Sequence, residues 1–115
     1  MLLITILVLS SPVLANEVTI VDAKLTRGHS GNWHASVTLK HNDAGWEHYA
    51  DEWRVVDVEG HVLGTRVLYH PHVNEQPFTR SLGNIRIPDG TDKVYVEAHD
   101  KVHGWSEQKF EVSLK

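Results

Sequence analysis

Trp33-His34-Ala35-Ser36-Val37-Thr38-Leu39-Lys40 alternates without a break, with Trp33, Ala35, Val37 and Leu39 in one phase and His34, Ser36, Thr38 and Lys40 in the other. A period of two puts the apolar set on one face of a pleated strand, half against a core and half against water. Upstream, residues 18–25 are rich in β-formers, but the apolar phase switches between Ile20 and Val21, which suits an edge strand that kinks. The cluster Arg27-Gly28-His29-Ser30-Gly31-Asn32 separates the two as a turn. Downstream, Asn42-Asp43-Ala44-Gly45 opens a polar loop through Trp46, Glu47, His48, Tyr49 and Asp51. Residues 53–58 and 62–68 read as strands joined by a hairpin turn at Glu59-Gly60.

Residues 78–87 resume extended structure, with Leu82 and Ile85 out of phase across Gly83, and a bulge at Gly83 accounts for the slip. Ile87-Pro88-Asp89-Gly90 is a turn. Val94, Val96 and Ala98 then face inward, Tyr95, Glu97 and His99 outward, and Phe110, Val112 and Leu114 form the last inward row. About seven short strands, turns at regular intervals and no helical period predict an all-β fold, a single antiparallel β-sandwich. Its expected core is Trp33, Val37, Leu39, Trp53, Val55, Val94, Val96, Phe110 and Val112.

The run from Leu2 to Leu9 is apolar, Pro12 breaks it, and Val13-Leu14-Ala15 ends in small-residue cleavage chemistry. A membrane span needs about 20 apolar residues, so residues 1–15 read as a secretory signal peptide cut after Ala15, although no Lys or Arg precedes the apolar core. The expected domain is residues 16–115, secreted or periplasmic, with no membrane span after cleavage. There is no cysteine, so a core without disulfides must hold the fold, and thiolate metal sites, cysteine nucleophiles and a cysteine-linked lipid anchor are not expected. The net charge of −4 is mild, with acids and bases interspersed, which argues against nucleic acid as a partner.

Trp53 on the third strand and Asp92 ahead of Tyr95 near a strand start resemble immunoglobulin and fibronectin III sandwiches. Gly45-Trp46-Glu47-His48-Tyr49-Ala50-Asp51, Tyr69-His70-Pro71-His72 and His99-Asp100 together resemble an uncharacterised family of small secreted bacterial β-sandwich proteins. That resemblance implies fold and export, and brings no ligand or catalytic assignment with it.

Antiparallel succession places the loops at 41–52, 69–77 and 99–105 at one end of the sandwich. They carry His41, His48, His70, His72, His99 and His103, with Asp43, Glu47, Asp51, Glu75 and Asp100. Pro71 and Pro77 stiffen the middle loop. Imidazoles with carboxylates and no thiolate suit Cu(II) or Zn. The expected ligands are His48, His70, His72 and His99. Glu75, Asp100, His103 and His41 are expected to orient them or to add to the set.

Two other classes stay open. The acidic, aromatic pole also suits a metal-free binding module for an envelope protein or glycan. Gly64, His70-x-His72, Glu75 and Gly83 partly resemble the first cupin motif of a metalloenzyme, but the gap from His72 to Glu75 is short and Pro71 occupies a strand position. Ser106 near His103 and Asp100 lacks a nucleophile elbow, so no hydrolase triad is read there, and no catalytic residue is expected.

Overall fold

Because each strand carries one apolar face, two sheets must meet face to face to bury them. The computed structural model describes residues 17–115, so the signal peptide expected at 1–15 and the start at Asn16 lie outside the described residues. Eight strands run in chain order: β1 (Thr19–Arg27), β2 (Trp33–Lys40), β3 (Ala50–Val56), β4 (Val62–Val67), β5 (Phe78–Ile85), β6 (Lys93–Asp100), β7 (Gly104–Trp105) and β8 (Phe110–Ser113). One sheet has the order β1-β2-β5. The other has β4-β3-β6-β7, with β8 also paired to β6. Every pairing is antiparallel, and no helix occurs among the described residues. The fold is the expected β-sandwich. The eighth strand arises because the arm returning along β6 is interrupted: β7 pairs with His99 and Asp100, and β8 with residues 93–96.

The two phase slips seen in the sequence are both irregularities of pairing. Register shifts between Ile20 and Asp22, so Ile20 and Ala23 are buried while Val21 faces water. Opposite β2, Ile85 pairs with Trp33 and Leu82 with Ala35, leaving Gly83 and Asn84 against one residue, and Asn84 takes a φ of 55°. The kink in β1 is tied to the other sheet by one side chain. The Gln108 amide accepts from Ile20 N at 2.8 Å and donates to Ile20 O at 3.1 Å.

Val37, Leu39, Trp53, Val55, Val94 and Val96 are fully buried, with Phe78, Ile85 and Leu68 among them. Trp33, Phe110 and Val112 are only partly buried and pack at the margin, Trp33 because it opens its strand and the other two because β8 is an edge. Where β4 crosses β5 the sheets come close: a Cβ on Gly64 would stand 2.9 Å from Leu82 Cδ2. The ends of β2, β4 and β6 and the starts of β3, β5 and β7 share one pole, as antiparallel succession requires. That pole carries the histidines.

Candidate metal centre

The period of two does not stop where the strands do. Val37 and Leu39 point inward, and one further step brings His41 in behind them. Val94, Val96 and Ala98 likewise lead to Asp100. Both polar residues therefore sit where the core meets the pole, His41 at 3 % exposure and Asp100 at 0 %. His48 reaches them from a tight loop closed by Ala44 N donating to His48 O and His48 N donating to Gly45 O, with Gly45 at φ 106°. His48 Nε2 lies 3.3 Å from Asp100 Oδ1, and His41 Nε2 lies 4.0 Å from Asp100 Oδ2. One ligand atom from each of His41, His48 and Asp100 falls within 4.8 Å of the others. Two atoms of this group, His48 Nε2 and Asp100 Oδ2, are buried and make no hydrogen bond. Such atoms are costly to bury without a partner.

Two carboxylates hold the group in place. Asp43 Oδ1 accepts from His41 Nδ1 at 2.5 Å and from Ala50 N at 3.0 Å, while its Oδ2 accepts from His72 N at 2.7 Å. Burial pushes the Asp43 carboxyl up, but the His41 side chain and the His72 and Ala50 amides outweigh it and hold the group below its ordinary value. Asp100 Oδ1 accepts from Val102 N at 2.8 Å and His103 N at 2.7 Å, which closes the turn after β6, while Oδ2 makes no hydrogen bond and lies 4.0 Å from His41 Nε2. Burial raises this carboxyl too. The His103 and Val102 amides, with the charges of His103 and His41, bring it below its ordinary value. His103 Nδ1 stands 3.2 Å from Asp100 Oδ1, and its ring lies 5.0 Å from that of His48.

The other expected ligands are placed differently. His72 is buried and stacked on Phe78 with centroids 4.1 Å apart, and its Nδ1 lies 4.0 Å from Asp43 Oδ2. Neither of its ring nitrogens makes a hydrogen bond, and burial, with Arg80 and His70 nearby, pushes its pKa down. His70 is exposed, its ring 4.6 Å from His72 and its Nδ1 3.2 Å from Pro71 O. His99 precedes Asp100 on one strand and so takes the opposite face of the sheet. There its Nδ1 meets Asp51 Oδ1 at 2.5 Å, and its ring meets the edge of Trp105. Glu75 is exposed and pairs with Arg80 at 2.8 Å. The structure thus joins His48 to His41, Asp100 and His103, sets His70 and His72 beyond Asp43, and turns His99 away. Gln76 pins the 69–77 loop to β2 by accepting from His41 N and donating to His72 O, each at 2.9 Å.

Over 99 residues the chain is 42 % identical to a protein of Halomicrobium mukohataei described as "Putative lipoprotein". The match covers 86 % of this chain and 48 % of that protein, so the chain spans about half the length of the curated relative it matches. No protein-family model matches the chain. No solved structure matches it. Among the described residues, no helix is long and apolar enough to cross a membrane.

Proposed function

We propose that this chain is an exported, envelope-associated β-sandwich that binds a divalent transition ion, Cu(II) or Zn, through His41, His48 and Asp100. The observation that carries this is the pair of buried, unbonded atoms His48 Nε2 and Asp100 Oδ2 in a group whose ligand atoms lie within 4.8 Å. A cation bonded to both would remove the desolvation penalty that burial imposes on each. Asp43 supports the same reading. A carboxylate that accepts one imidazole N–H fixes the ring and raises its basicity toward a metal, and Asp43 bears that relation to His41. Bonds of about 2.0–2.1 Å put tetrahedral ligand atoms roughly 3.3 Å apart, so the widest pair of the group closes by up to about 1.5 Å on binding. His48, on a loop and 19 % exposed at its side chain, is the member able to move.

Nitrogen and oxygen donors without thiolate suit Zn and Cu(II). The "Putative lipoprotein" relative supports an envelope location. The two packed antiparallel layers, of three and five strands, support the immunoglobulin and fibronectin III likeness. The test is calorimetric titration of the metal-free protein with Zn and Cu(II), on wild type and His48→Ala, with His70→Ala as the control. Binding tighter than about 10 μM that is lost in His48→Ala and kept in His70→Ala supports the site.

A second function is favoured by the exposed Trp46, Tyr69, Val73 and Val102, which lie on the three loops of this pole. Solvent-facing aromatic and apolar loop tips suit a binding surface for an envelope protein or glycan. A metal-free protein that retains its partner would favour this module.

A further inference from the structure

The three proposed ligands leave open whether the centre is saturated or keeps a position for an outside molecule. That distinction separates storage or delivery from chemistry on a bound substrate. Four features of His103 bear on it, and they rest on the metal centre proposed above. Its Nδ1 is 3.2 Å from Asp100 Oδ1, close to the 3.3 Å between the same oxygen and His48 Nε2. Both imidazoles therefore border the carboxylate whose other oxygen, the unbonded Oδ2, is the proposed ligand atom. Its ring lies 5.0 Å from that of His48, and its side chain is exposed where that of His41 is fully buried. Its backbone is fixed, because His103 N donates to Asp100 Oδ1 and Gly104 follows at φ 76°, whereas its side chain is 26 % exposed and can turn. Among the other imidazoles of the pole, His72 is stacked on Phe78, His70 lies beside Pro71 O, and His99 occupies the far face of the sheet.

We propose that His103 is the exchangeable fourth ligand, leaving its hydrogen bond to Asp100 to close a site of three nitrogens and one oxygen. The loaded centre is then saturated, and the exposed His103 is the position at which the ion enters and leaves. Removing the imidazole opens that position without touching the other three ligands.

Co(II), which reports its coordination through visible absorption, tests this in the purified protein. Wild type should take up Co(II) and show no spectral change on adding azide. His103→Ala should still take up Co(II), respond to azide, and lose the ion to a chelator at least about tenfold faster, in line with the loss of one ligand. Free imidazole should return the variant spectrum toward that of wild type by filling the vacated position. His103→Gln, which keeps a polar side chain in the turn, should behave like His103→Ala. Its circular dichroism should match that of wild type, which separates loss of a ligand from loss of the turn. The proposal is overturned if wild type responds to azide as the variant does, or if His103→Ala releases Co(II) at the wild-type rate. A wild type that takes up no Co(II), Zn or Cu(II) refutes the metal centre itself, an outcome distinct from those two.

Discussion

Replacing Asp43 by alanine should be the most damaging single change to the pole. Its carboxylate is fully buried and accepts from three donors on three segments: His41 Nδ1, Ala50 N and His72 N. Alanine removes that acceptor from all three, and a buried donor left unsatisfied costs about 1–3 kcal/mol. The losses are not additive, because the loop can relax and admit water. We therefore expect about 3–5 kcal/mol in total, the range seen when one partner of a buried charged pair is removed. In urea unfolding the midpoint should fall by about 2 M at an unchanged slope. Combining Asp43→Ala with His41→Ala should cost clearly less than the sum of the single changes, with a coupling of about 1–3 kcal/mol. A loss below about 1 kcal/mol, or strict additivity with His41→Ala, would show that Asp43 does not organise the pole.

Three other outcomes follow from the same geometry. His72→Phe should stabilise the protein by about 1 kcal/mol in urea unfolding, because it removes two buried nitrogens that make no hydrogen bond and keeps the stack on Phe78. Metal affinity should be unchanged in that variant. Trp53→Ala should cost about 3–5 kcal/mol, measured by thermal or urea unfolding, since Trp53 is at 0 % exposure in the centre of the core. In metal-free protein, stability should fall in two stages on acidification. His72 has its folded pKa depressed below 6.5, so the unfolded chain binds the extra proton and stability is lost as pH drops from that value toward the folded one. Asp43 and Asp100, depressed below 3.8, contribute stability that is held above that value and lost as pH falls through their folded values. Urea midpoints across pH should show both stages in wild type and only the lower one in His72→Phe.

How far the site can be read from sequence depends on where the strand period is allowed to end. Alternation over residues 33–39 and 94–98 identifies the strands, and the slips at Ile20 and Gly83 identify two of the pairing irregularities, because each is a local rule of the pleat. The same rule extended one step points His41 and Asp100 inward and His99 outward. Treating 41–52 and 99–105 as loops from their first residue hides that. The spacing His70-x-His72 looks like a ligand pair, but Phe78 offers His72 an apolar stacking surface, and no periodicity reveals such a contact. Asp43 is the least legible residue of all. Its role depends on two backbone amides, at Ala50 and His72, that are adjacent only after the loops converge. The eighth strand is similarly hidden, since Gln108 serves the edge of β1 while β7 and β8 pair with β6 on either side of the break.

The central claim is that the buried group of His41, His48 and Asp100 holds a divalent ion. Its most direct measurement is isothermal titration of chelator-stripped wild-type protein with Zn and with Cu(II) near pH 7. We predict one ion per chain, bound tighter than about 10 μM, with affinity falling as pH drops through the imidazole range near 6.5. Binding should be lost in His48→Ala and retained in His70→Ala. No binding of either ion, or equal binding by wild type and His48→Ala, would contradict the claim.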